Sequence, residues 1–81
     1  MSTTRVVLLS KPGCHLCDAA RSVISAVCAE ANVTWEERDI TTDPSLYDLY
    51  FEHIPVTLVD GVQHDFWRVD PERLREALSR A

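Results

Sequence analysis

The chain has 81 residues, of which 46% are apolar, so we expect one domain spanning residues 1–81 and no second one. Its formal net charge of −5 disfavours nucleic acid or an anionic membrane surface as the main partner. The N-terminal residues lead into an apolar run that is too short for a signal or membrane segment, so we expect neither. The odd number of cysteines, three, leads us to expect a cytoplasmic protein.

The first half of the chain predicts a strand, a long helix and a second strand. Residues 6–9 are continuously apolar, which is typical of a central strand covered on both faces. Apolar residues then recur at helical spacing over residues 14–31, with Cys28 on the buried stripe, and Asn32 ends this helix. Residues 33–40 carry many charges, which indicates a strand at the edge of a sheet.

The second half predicts two capped helices around a hairpin. Asp43 and Asp70 each precede a proline, and a carboxylate cap before a proline at the first helical position starts a helix. Between them, residues 56–59 and 62–67 predict strands joined by an Asp-Gly turn at residues 60–61. The order β-α-β-α-β-β-α predicts an α/β protein whose mixed four-stranded sheet is flanked by three helices.

Aromatic side chains are expected mainly in the core of so small a protein. Most of Trp35, Tyr47, Tyr50, Phe51 and Phe66 are expected there, and the alternative is that they form a binding surface. Trp67 is the exception and is a candidate binding residue.

Two cysteines three residues apart, Cys14 and Cys17, lie at the predicted junction of the first strand and the first helix. At this spacing the two sulfur atoms lie on one side of a helical turn and can close a disulfide with little backbone movement. Unpaired N–H groups at the helix N-terminus favour a thiolate on Cys14, which we expect to be the exposed nucleophile. Cys17, one turn inside, is expected to be shielded and to resolve mixed disulfides. The alternative is half of a zinc site, but the histidines and Cys28 show no second paired spacing.

Charged side chains surround this pair in the sequence. His15 could stabilise the thiolate of Cys14 or help proton transfer, and Lys11 could stabilise that thiolate or contact a substrate carboxylate. Each could equally be a solvated side chain without such a role. Asp18 opposes the thiolate, because a carboxylate one helical turn away disfavours a second negative charge. Arg21 is predicted to pair with Asp18 rather than to act in catalysis.

In its order of elements and its Cys-x-x-Cys run, the chain resembles the glutaredoxin-like proteins of the thioredoxin-fold superfamily over essentially its whole length. The residues that carry the resemblance are Ser10-Lys11-Pro12-Gly13-Cys14 with Cys17-Asp18, then Ile54-Pro55-Val56, then Asp60-Gly61. The resemblance implies a thioredoxin-like fold and a thiol-disulfide oxidoreductase. In that family the proline at the position of Pro55 follows a cis peptide bond and faces the dithiol, which leaves the backbone of Ile54 to pair with a substrate as an added strand.

The chain departs from common glutaredoxins at two places. They have Pro-Tyr between the cysteines, where this chain has His15-Leu16, and a Gly-Gly pair that binds glutathione, where this chain has residues 64–68. We therefore expect weak binding of free glutathione. Trp67, Arg68 and Asp70 are loosely similar to the aromatic-Arg-x-Asp segment of redoxins that are recharged by thioredoxin reductase.

These residues together predict reduction of protein or small-molecule disulfides by a dithiol cycle, in which Cys14 and Cys17 form the redox-active disulfide. The residues predicted to bind substrate are Lys11, His15, Ile54, Pro55, Trp67 and Arg68. We expect glutathione or a thioredoxin-reductase-type flavoenzyme as the reductant, no metal or organic cofactor, and a monomer. Two alternatives stay open, namely a thioredoxin-fold binding module whose dithiol is slow, and a metal or iron–sulfur carrier that binds through Cys14.

Overall fold

Four strands form one mixed sheet in the order β2-β1-β3-β4. The structure is a computed structural model that describes residues 4–79, except for the side chain of Phe66. The strands are β1 (Val6–Ser10), β2 (Trp35–Asp39), β3 (Val56–Val59) and β4 (Val62–Phe66). β1 runs parallel to β2 and antiparallel to β3, which is also antiparallel to β4. The predicted mixed four-stranded sheet is confirmed, and the charged strand β2 lies at its edge.

Three α-helices accompany the sheet, α1 (His15–Ala31), α2 (Pro44–Tyr50) and α3 (Pro71–Ser79). The predicted caps are confirmed, because the carboxylate of Asp43 accepts the Ser45 N–H at 3.0 Å and that of Asp70 accepts the Glu72 N–H at 2.9 Å. Helix α1 ends as predicted at Asn32, whose φ of 56° lies in the left-handed region. None of the helices within residues 4–79 has the length and hydrophobicity of a membrane span.

The apolar interior supports the start of α1. The main cluster consists of Val6, Leu8, Ala20, Ile24, Val27, Cys28, Val59, Leu74 and Leu78. A second cluster consists of Leu9, Cys17, Ile40, Ile54 and Val56, with Cys14 packed against it. Close packing resists side-chain movement, so the two cysteines are held on a rigid support.

The hairpin between β3 and β4 turns at Asp60 and Gly61, whose φ angles of 53° and 83° are both left-handed. A two-residue hairpin turn with the twist of the flanking strands requires this conformation. The Arg5 guanidinium pairs with the Asp60 carboxylate at 2.9 Å and fixes the turn against the start of β1. β4 ends at residue 66, one residue earlier than predicted, because Trp67 adopts a φ of 64° and leaves the extended region.

The expectation of buried aromatic residues is wrong for Tyr47 and Phe51, which are 45% and 48% exposed. Their rings stack on each other with centroids 5.5 Å apart. Tyr47 lies on α2 and Phe51 is its C-cap, and this helix of seven residues is too short to contribute a buried side chain to the core. It reaches the second cluster only through the partly buried Leu46 and Tyr50.

The second strand is shorter than residues 33–40, because the chain leaves it after Asp39 in a 3-10 turn, Ile40–Thr42. The carboxylate of Asp39 accepts the N–H of Thr41 at 2.8 Å and caps this turn. The turn places the fully buried Ile40 in the second cluster.

Candidate active site

Cys14 and Cys17 lie at the N-terminus of α1, where Cys14 is the N-cap and Cys17 lies in the first turn. Their Cα atoms are 5.2 Å apart, within the range that a disulfide spans, and their sulfur atoms are at disulfide distance. The N–H of Cys17 donates to Sγ of Cys14 at 3.1 Å. Cys14 is partly exposed, whereas Cys17 is 1% exposed. This is the order of exposure expected for an attacking and a resolving thiol.

The loop from β1 to α1 presents Cys14 at the surface. Residues 11–13 of this loop are exposed, and Gly13 has a φ of 75°, in the region that favours glycine. Apart from residue 13 and its two chain neighbours, no described heavy atom would lie within 4 Å of a Cβ at residue 13, so the turn needs glycine for its backbone conformation and not for space.

One side of the dithiol opens on a cavity of about 280 Å³, here called the polar cavity. Its wall includes Lys11, Cys14, His15, Asp18, Arg21 and Glu37. The structure therefore brings two predicted substrate-binding residues, Lys11 and His15, to the same cavity as the proposed nucleophile. Both side chains are exposed.

Arg21 links the helix to the sheet beside this cavity. Its guanidinium donates to the carboxylate of Asp18 at 2.7 Å, which confirms the predicted pair, and also to that of Glu37 at 2.6 Å. The hydroxyl of Ser10 donates to the same Glu37 carboxylate at 2.6 Å. The hydrogen bonds from Arg21 lower the pKa of Glu37 and outweigh the opposing effect of burial, while those to Glu37 and Asp18 raise the pKa of Arg21.

A second, larger cavity of about 510 Å³, here called the apolar groove, borders α1 at Leu16. Its wall contains Leu16, Ile54, Asp65, Trp67, Arg68 and Arg73. Ile54, Trp67 and Arg68, three predicted substrate-binding residues, are therefore brought together there. The indole N–H of Trp67 donates to the carbonyl of Glu52 at 3.2 Å, so the half-exposed ring has a defined orientation.

Pro55 is buried and does not line the apolar groove. It is less than 2% exposed, and its carbonyl accepts the N–H of Trp67 at 2.7 Å. The peptide bond between Ile54 and Pro55 is cis, as predicted.

Leu16 also belongs to the site, although the sequence did not predict it. It lies between the two cysteines, is 43% exposed, and lines the apolar groove. Its position inside the Cys-x-x-Cys run is the signal that could have identified it. Within residues 4–79, no three histidine, cysteine or acidic side chains lie together in a way that could hold a metal ion.

The sheet order, the helix positions and the paired cysteines define this molecule as a thioredoxin-fold protein with a dithiol at the start of α1. Residues 5–79 match the family model of the glutaredoxin-like domain (DUF836), and the chain belongs to this family. Proteins of Mycobacterium bovis and Mycobacterium tuberculosis, both named uncharacterized, are 30% identical over 86 aligned positions that cover 100% of this chain and 89% of each relative.

Solved structures show the same fold. An X-ray structure of a protein from X. campestris has a TM-score of 0.75 and 28% identity, and the match covers 94% of this chain and 97% of that one. An NMR structure of a protein from Nitrosomonas europaea has a TM-score of 0.74 and 21% identity, covering 91% of each chain. Thioredoxin from Fasciola hepatica has a TM-score of 0.62 and 21% identity, covering 95% of this chain and 81% of the thioredoxin. Family and fold together support a thiol redox protein.

Proposed function

We propose that this protein is a glutaredoxin-like thiol-disulfide oxidoreductase that reduces protein or small-molecule disulfides with Cys14 and Cys17. The observation that carries the proposal is the unequal exposure of the two cysteines at one helix N-terminus, where Cys14 is partly exposed and Cys17 is 1% exposed. An accessible thiolate is what attack on a disulfide requires, and a shielded second thiol is protected from competing reactions.

The cycle has two exchange steps. The Cys14 thiolate attacks one sulfur of the substrate disulfide, so that a bond forms between Cys14 and the substrate and the second substrate sulfur leaves as a thiolate. Cys17 then loses its proton to solvent and attacks the sulfur of Cys14. The Cys14–Cys17 disulfide forms, the first substrate sulfur leaves, and two electrons have passed from the dithiol to the substrate.

The apolar groove is the proposed docking site of a substrate segment. It borders Ile54 and Leu16. Ile54 belongs to the second cluster with Cys17, so an extended segment along the backbone of Ile54 would lie beside the dithiol. Trp67 offers a flat apolar surface, and Arg68 offers a positive charge to an acidic group of the substrate. Lys11 and His15 would contact the substrate from the polar cavity.

Three single variants test the cycle with one protein disulfide as substrate. Cys14→Ser should abolish turnover, whereas Cys17→Ser should accumulate a mixed disulfide between Cys14 and one half of the substrate. Cys28→Ala is the matched control and should keep turnover, because Cys28 is a free, buried cysteine. Turnover is followed with a coupled reductase, and the mixed disulfide is identified by mass spectrometry.

Alkylation of the reduced protein with iodoacetamide checks the roles directly. Preferential labelling of Cys17 would reverse the assignment of nucleophile and resolving thiol. A different pair of results would favour a binding module with a slow dithiol. In that case Cys17→Ser would trap a partner, but the unchanged protein would turn over substrate no faster than free dithiothreitol does.

The proposed electron donor is a thioredoxin-reductase-type flavoenzyme rather than glutathione. Residues 64–68 replace the Gly-Gly pair of common glutaredoxins, and a net charge of −5 repels the two carboxylates of glutathione. Lys11 and Arg68 offset part of this repulsion. We place the reaction in the cytoplasm, because the chain carries an unpaired buried cysteine in addition to the redox pair.

Two assays separate the donors. Turnover with glutathione and its reductase should be poor compared with turnover with thioredoxin reductase. Glutathione titrated to millimolar concentration into the oxidised protein should give no saturable chemical-shift change around Pro55 and Asp65. Tight, saturable binding of glutathione at those residues would show that this protein binds glutathione as common glutaredoxins do.

A further inference from the structure

The guanidinium of Arg21 donates hydrogen bonds to two carboxylates through all three of its nitrogen atoms. Its Nε and Nη2 atoms donate to the two oxygens of Glu37 at 2.6 and 2.7 Å, and its Nη1 atom donates to Asp18 at 2.7 Å. The contact with Glu37 is bidentate, and bidentate contacts hold a planar guanidinium in one orientation.

Residues of the sheet fix the position of the Arg21 guanidinium. The Glu37 side chain is 28% exposed and accepts a hydrogen bond from the hydroxyl of Ser10, which is itself 4% exposed. Glu37 is thereby fixed to β1 as well as being part of β2. Arg21 is consequently held next to the first turn of α1 whether or not Asp18 attracts it.

Asp18 is the acidic residue of the first turn of α1. Its N–H donates to the carbonyl of Cys14 at 3.3 Å, so its backbone lies one helical turn from that of the proposed nucleophile, and both residues line the polar cavity. A carboxylate there stabilises the start of the helix, but it disfavours a thiolate on Cys14. Cys14, Asp18 and Arg21 all line the polar cavity.

We propose that Arg21 is a positioning residue that neutralises Asp18 and thereby keeps Cys14 in its thiolate form at neutral pH. The proposal rests on the proposed function, in which the Cys14 thiolate attacks the substrate. Glu37 orients Arg21, and Arg21 cancels the charge of Asp18. The other charged or titratable groups around Cys14 are Lys11 of the preceding loop, His15 and the Cys17 thiol of α1, Glu37 and Asp39 of β2, and, in the apolar groove beyond Leu16, Asp65, Arg68, Asp70 and Arg73.

The expected effect follows from Coulomb's law. A unit charge one helical turn away, about 5.4 Å, in surroundings close to water shifts a titration by about half a pH unit. Asp18 is 68% exposed, so the dielectric of water applies. Arg21→Gln should therefore raise the pH midpoint of Cys14 alkylation by about half a unit. At a pH below the midpoint, this lowers the fraction of Cys14 present as thiolate roughly threefold.

The experiment measures the rate of iodoacetamide labelling of Cys14 against pH in the reduced full chain. Arg21→Gln should shift the midpoint upwards, and the double variant Arg21→Gln with Asp18→Asn should return it to the original value. The matched control is Arg75→Gln, because Arg75 makes the same double pairing, with Glu30 at 2.9 Å and Glu72 at 2.6 Å, near the other end of α1. This control should leave the midpoint unchanged.

An unchanged midpoint in Arg21→Gln would overturn the proposal. So would a raised midpoint that the Asp18→Asn change does not restore, because the effect would then come from Glu37 or from altered packing. Thermal unfolding of each variant shows whether the helix is intact. Alkylation needs no disulfide substrate, so a failure of the reductase cycle would be seen in turnover and not in this midpoint.

Discussion

Replacing Ile24 with alanine should remove a large part of the stability of this protein. Ile24 is 0% exposed in the middle of α1 and belongs to the main cluster with Leu8 and Leu74. Truncating isoleucine to alanine in a closed core costs about 2–5 kcal/mol, because apolar contact is lost and a cavity remains. A chain of 81 residues is stable by roughly 4–12 kcal/mol, so a loss of about 3 kcal/mol is a large fraction of the total.

Urea unfolding followed by circular dichroism measures this loss. With a slope of about 1 kcal/mol per molar urea, the midpoint should fall by about 3 M, and the Tm should fall by roughly 12–24 °C. The control is Leu49→Ala on α2, which is 67% exposed and should change the free energy of unfolding by less than about 0.5 kcal/mol. A loss below about 1 kcal/mol for Ile24→Ala, with an unchanged slope, would refute the packing of α1 against the sheet.

Three further predictions concern a cap, a titration and the third cysteine. Asp70→Ala should cost about 1 kcal/mol in thermal unfolding, because Asp70 caps α3, whereas Asp48→Ala at an exposed position inside α2 should cost less. Arg21 lowers the pKa of Glu37 in the folded protein below its ordinary value of 4.5, so the stability that Glu37 adds is present above that pH and is lost as the pH falls through the lower folded value. The difference in unfolding free energy between the unchanged protein and Glu37→Gln should accordingly shrink in acid, and a constant difference from pH 7 to about pH 3 would argue against this coupling. Burial raises the pKa of the Cys28 thiol, so iodoacetamide should label Cys28 only after unfolding, and mass spectrometry that finds it labelled in the native protein would contradict its burial.

Much of the fold could be predicted because its signals act over a few residues. Asp43 and Asp70 cap α2 and α3 through N–H groups two residues further on. Asp60 and the following glycine supply the left-handed turn of the hairpin, and Asn32 supplies the one that ends α1. Each of these residues acts on the backbone next to it, so its effect is visible in the sequence.

The aromatic residues show where this reasoning fails. Tyr47 and Phe51 are as apolar as residues of a core, yet they are exposed because α2 is short and lies at the margin of the second cluster. The burial of a side chain depends on which other helices and strands pack over it, and the amino-acid composition does not determine this. Trp67 also lies outside the predicted strand, because its φ of 64° is left-handed and not extended.

The sequence by itself determined the order of elements, the dithiol and its place at the start of a helix. The tertiary structure alone decided which side chains from different elements meet. Arg21 and Glu37 pair because β2 lies parallel to β1, with Glu37 opposite Leu8 in the register. Leu16 and Trp67 share the apolar groove although fifty residues separate them. Such contacts depend on the register and packing of the whole sheet, whereas a cap or a turn depends only on the few backbone groups within reach of one side chain.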